Sequence, residues 1–157
     1  MLFRSRLSGS FRWITSDERL VPSKMTTFGG LYSVRGYEED EIVADGGVLA
    51  SVQYEFDLVK YDESREIRET ESEQKQTKKP WLRKLAPLAF VDYSQARMKD
   101  PVLGEDKTQD LFSVGVVMAI GRGDNFDAGI YYGWPLRSTA DTKKGQGRWN
   151  FSFIMRW

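Results

Sequence analysis

The sequence predicts an all-β fold: antiparallel strands forming the C-terminal portion of a transmembrane β-barrel that is incomplete within this chain. Two observations carry that expectation. Apolar and polar residues alternate with period two, in runs about as long as the ~9–11 residues a membrane-crossing strand needs. The last of these runs is an aromatic ladder that neither solvent nor a soluble core ordinarily receives. No window approaches the ~20 consecutive apolar residues of a membrane helix. Barrel strands carry polar side chains on one face, so their mean hydropathy resembles that of a soluble protein and a helix search says nothing about them.

Taken in order, Phe3, Leu7, Phe11 and Trp13 oppose Arg4, Arg6, Ser8, Ser10 and Arg12. Charges interrupt every apolar stretch here and there is no small-residue cleavage site, so residues 1–13 do not read as a signal peptide. In the second run Val48, Ala50, Val52, Tyr54, Phe56 and Leu58 oppose Leu49, Ser51, Gln53, Glu55 and Asp57. Residues 85–98 are less regular but strand-forming through Ala89, Phe90, Val91 and Tyr93. Phe112, Val114, Val116, Met118 and Ile120 then oppose Ser113, Gly115, Val117, Ala119 and Gly121. Phe126, Ala128, Ile130, Tyr132 and Trp134 oppose Asn125, Asp127, Gly129, Tyr131 and Gly133. Over residues 148–157, Trp149, Phe151, Phe153, Met155 and Trp157 oppose Arg148, Asn150, Ser152, Ile154 and Arg156. Six strands are expected.

The connections suggest a direction, because bacterial barrels have short periplasmic turns and longer outer loops. Arg122, Gly123 and Asp124 make a tight hairpin, whereas residues 99–109 and 137–147 are longer and polar, which places the C-terminus on the periplasmic side. A long charged insert, about 62–84, falls on that same side and reads as helical or disordered, its charges solvated. Six strands cannot close a barrel whose smallest type has ~8, and open edges are intolerable in hydrocarbon. Upstream strands are therefore expected, with Met1 marking a truncation or a misplaced start. A soluble two-sheet sandwich is the alternative fold. It explains the alternation, but explains the five Trp less well.

Composition narrows the function. The 157 residues suit one domain, and 23 basic residues balance 23 acidic ones, so no global pull toward nucleic acid is expected. Absence of Cys and His removes disulfides, thiolate nucleophiles, imidazole relays and Cys-based zinc sites. No catalytic residue, metal or cofactor is expected. The segment GRGDNFD lacks the Gly-Lys-Ser/Thr ending of a Walker loop. The acidic run Glu38, Glu39, Asp40 and Glu41 lacks the spaced ligands of a calcium loop and reads as a solvated face. Of Trp13, Trp81, Trp134, Trp149 and Trp157, four lie at or near expected strand ends, where they read as interface girdles.

Residues 28–37 read FGGLYSVRGY. This resembles the VRGY/VRGF signature of the Omp85 superfamily, barrels that move or insert polypeptides at the bacterial outer membrane. Leu20, Pro22, Ser23, Phe28, Gly29 and Gly30 resemble the approach to that signature in the two-partner secretion branch, the ShlB/FhaC/HecB-like hemolysin secretion and activation proteins. Ala44, Asp45, Gly46 and Gly47 resemble its G-D-x-G segment. Phe90, Val91 and Asp92 resemble its F-x-D strand, and Tyr132 to Leu136, YGWPL, its penultimate-strand Y-G-x-P-L.

The resemblance implies that a loop of about residues 28–46 folds back into the lumen, where Arg35 of Val34, Arg35, Gly36 and Tyr37 meets Asp92 beside Phe90. Gly29 and Gly30 would be the loop hinge, and Phe151, Phe153 and Trp157 would form the C-terminal signal read by the barrel assembly machinery. The implied function is a translocator that secretes a hemolysin- or adhesin-like partner without nucleotide hydrolysis, set among outer-membrane lipid and lipopolysaccharide. POTRA-type domains and a barrel of roughly sixteen strands in all would complete it. Two other functions are kept beside it: a BamA- or TamA-like outer-membrane assembly factor, and a soluble carbohydrate-binding β-sandwich.

Overall fold

The computed structural model describes residues 5–56, 58, 82, 84–104, 106–123 and 125–157. Expectations about Phe3, Arg4, Asp57, Trp81, Asp124 and nearly all of the charged insert lie outside those residues.

The fold is all-β. Six antiparallel strands form one open sheet in the order β1-β4-β5-β6-β7-β8: β1 (Ser5–Ile14), β4 (Gly46–Phe56), β5 (Lys84–Arg97), β6 (Thr108–Arg122), β7 (Phe126–Pro135) and β8 (Arg148–Met155). Between β1 and β4 the chain makes a 3-10 turn at Pro22–Lys24 and a small separate hairpin of β2 (Thr26–Phe28) and β3 (Ile42–Ala44). The hairpin went unpredicted because three residues per strand are too few to display a period. The observed boundaries also correct the expected ones. Lys84 belongs to β5, not to the insert, and its ammonium reaches Glu55 at 2.9 Å. The sixth strand of the sheet stops at Met155, two residues short of the expected Trp157.

The register explains why alternation was so legible. Leu7 pairs with Tyr54, Tyr54 with Ala89, Ala89 with Val116, Val116 with Tyr132, and Tyr132 with Trp149. Because side chains alternate across a sheet, every apolar set falls on one face. That apolar face is uncovered among the described residues: Phe11, Val52, Val91, Val116, Ile130, Phe151 and Phe153 are all exposed. Arg35, Asp92, Ser94 and Ser113 lie on or against the other face and are buried there.

What buries them is the segment between β1 and β4. Phe28, Val34, Tyr37, Ile42 and Ala44 pack on Ala96 and Leu111, a small core between the β2-β3 hairpin and the sheet. This face is called the loop face below. A sandwich would cover the apolar face; here the second layer lies on the opposite side.

Pro87 shows why residues 85–98 look irregular. It falls one row past the last pair of the β4-β5 ladder, Glu55 with Leu88, beside the end of β4 at Phe56. Trp13, Trp134 and Trp149 each lie one residue from the loop end of their strands, which are Ile14, Pro135 and Arg148.

Candidate functional site: the loop arginine and its wall

Strand parity builds the site. Phe90, Asp92 and Ser94 share the loop face of β5, and the same rows of the ladder bring Gln53 and Gly115 beside Phe90 and Ser51 and Ser113 beside Asp92. Polar residues thus meet one another across strands without any long-range coincidence.

Asp92 is fully buried, yet all its acceptor capacity is used. Its Oδ2 accepts from Arg35 Nε at 2.7 Å and from the Arg35 backbone N–H at 3.1 Å. Its Oδ1 accepts from Arg35 Nη2 at 2.8 Å and from the Ser51 hydroxyl at 2.6 Å. A carboxylate has about four lone-pair positions, and four donors fill them. Arg35 is also well occupied: Nη2 donates to Ser51 at 3.2 Å and Nη1 to Gln53 at 3.4 Å. The guanidinium carbon lies 3.7 Å from the centroid of the Phe90 ring. The F-x-D spacing now has a physical reason. Residues two apart share a face, so one side chain supplies a flat π-surface and the next a carboxylate fork for one planar cation.

Glycines let the loop come this close. Gly36 has φ of 97°, and a Cβ there would lie 2.9 Å from the carbonyl carbon of Gly133. A Cβ on Gly133 would lie 2.7 Å from the Cα of Gly36, so the two residues pack backbone to backbone. Gly115 pairs with Gly133, and its missing side chain makes the space occupied by the Phe90 ring. At the base of the loop Gly29 and Gly30 have φ of 108° and 97°, directly after β2 ends at Phe28. A Cβ on Gly29 would sit 2.5 Å from the Glu38 carbonyl oxygen, so the hinge is fixed by sterics as well as by dihedral.

Neighbouring residues fasten the rest. The buried Tyr37 hydroxyl lies 3.0 Å from the carbonyl oxygens of Phe112 and Arg137 and accepts from both of their amides at 3.2 Å. It bridges β6 to the chain leaving β7. Asp45, also buried, accepts from the backbone N–H of Leu20 at 2.6 Å and of Lys99 at 2.7 Å, joining two connections.

The acidic run is not simply a solvated face, which corrects the expectation. Glu38 pairs with Arg148 at 2.5 Å, and Glu39 accepts from Leu31 N–H at 2.8 Å. Glu41 accepts from the Thr142 hydroxyl at 2.7 Å and from Thr139 Oγ1. These carboxylates staple the loop to itself, to Thr139 and Thr142 and to Arg148 at the start of β8; their spacing alone could not reveal partners so distant in sequence.

The structure therefore brings Val34, Arg35, Gly36, Tyr37, Phe90, Asp92, Gly29 and Gly30 into one assembly. Phe151 and Phe153 lie apart from it, exposed on the apolar face, and Trp157 is exposed beyond the end of β8. Sequence reasoning missed Ser51, Gln53, Gly115 and Glu41 as parts of the site. The consecutive polar positions Ser51, Gln53 and Glu55 were the available signal for the first two. No family model, curated protein or solved structure matches the chain.

Proposed function

We propose that the chain is barrel sequence from an outer-membrane protein translocator of the two-partner secretion type, which passes unfolded hemolysin- or adhesin-like polypeptide without nucleotide hydrolysis. The observation that carries this reading is the buried fork of Arg35 on Asp92, made by a long loop folded against the face opposite a continuous apolar surface. Such a surface suits lipid, and a guanidinium with a full set of partners suits the wall of a lumen. The loop's role is structural and gating: docked, it sets the cross-section left for cargo.

Removing one partner of a buried ion pair strands the other, at a cost of about 3–5 kcal/mol. Arg35→Ala and Asp92→Ala should each reduce secretion by intact cells, and the double variant should be little worse than either, because one interaction is lost in all three. Full secretion by both single variants would remove the proposed role.

A further inference from the structure

We propose, resting on the translocator reading, that an open trough along β1 on the loop face is the track for extended polypeptide rich in carboxylates. Two adjoining clefts of about 280 and 330 Å³ share Ser10, Ser51 and Gln53 and together follow β1 past the flank of the docked loop. Farther across the sheet the loop face is closed by Phe28, Val34 and Tyr37 on Leu111. The two clefts along β1 adjoin each other, whereas a separate one of about 310 Å³ lies at β3 against Ala96 and Met98.

The chemistry of the trough suits a polypeptide backbone and then selects by charge. Ser8 and Ser10 offer short hydroxyl groups that bond peptide units without reading side chains, while Ser51 and Gln53 on the far wall are engaged by Arg35 and Asp92. Arg6 and Arg12 stand six residues apart on β1, about 20 Å at ~3.3 Å per residue. Both are exposed, and neither has a side-chain hydrogen bond or ion pair among the described residues. Glu55, opposite Arg6 in the ladder, is held by Lys84 at 2.9 Å, so it leaves the trough with a basic balance. On the loop side the lip is Tyr32, 90% exposed. Its turn is held by Leu31 N–H on Glu39 and by the Ser33 hydroxyl on the Gly29 carbonyl at 2.7 Å. An aromatic lip beside Arg12, with Arg6 farther along the strand, fits an extended acidic chain better than a folded or basic one.

The test uses the full-length protein in planar lipid bilayers, with short oligoglutamate and oligolysine as probes of channel current. Oligoglutamate should block at lower concentration than oligolysine. The double variant R6Q/R12Q should need about tenfold more oligoglutamate, the expected sum of two exposed charge contacts. R156Q, whose guanidinium pairs with Asp127 outside the trough, should leave the block unchanged. Unaltered block in R6Q/R12Q, or stronger block by oligolysine, overturns the track while a conducting channel still stands. A folded full-length protein that carries no current takes down the translocator reading and the track with it.

Discussion

Arg35 needs to be an arginine for reasons of shape as much as charge. Its plane must rest on Phe90 while its edge meets both oxygens of Asp92, and a lysine ammonium can do one but not both. Arg35→Lys should therefore secrete little better than Arg35→Ala. Docking itself has a convenient reporter, because Arg35 is only 8% exposed and its peptide bond should resist trypsin in the folded protein. Gly36→Ala keeps that arginine but pushes a methyl into the Gly133 backbone, an overpacking cost of about 1–3 kcal/mol. Trypsin cleavage after Arg35 should accelerate in this variant; unchanged protection would mean that the backbone contact does not hold the loop.

At the scale of elements, most strands of the sheet announced themselves by apolar residues at every second position, while β5 was legible only through its strand-forming residues. Ser51, Gln53 and Asp92 could be assigned to one face from parity alone, whereas pairing them across β4 and β5 required the register. The β2-β3 hairpin carried no periodic signal in three residues a side, and the carboxylates of Glu38 and Glu41 found partners more than ninety positions away, at Arg148, Thr139 and Thr142. The Arg35 to Asp92 contact was anticipated only through resemblance; spacing of fifty-seven residues says nothing by itself. Tyr37 is the clearest element-level fastening. Tyr37→Phe leaves the amides of Phe112 and Arg137 without the hydroxyl they donate to, a loss of about 1–3 kcal/mol. Hydrogen exchange at those two amides should quicken while exchange at mid-strand amides of β5 stays slow.

For the molecule as a whole, the decisive property is that its two faces call for different surroundings. Val116 lies mid-strand on the apolar face, flanked in the ladder by Ala89 and Tyr132. If that face meets acyl chains, Val116→Arg in the full-length protein should cost about 2–4 kcal/mol near the bilayer centre. Ser10→Arg on the loop face should cost far less. Denaturant titration of folding into lipid vesicles reads both, and equal costs would argue against an acyl environment. The contact between Gly36 and Gly133 bears on assembly too. A slip of β7 by one residue would replace that bare patch with Tyr132 or Trp134 and turn every aromatic to the wrong side. A misaligned sheet would then have no seat for the loop, so the loop can dock only once β7 is in its proper register.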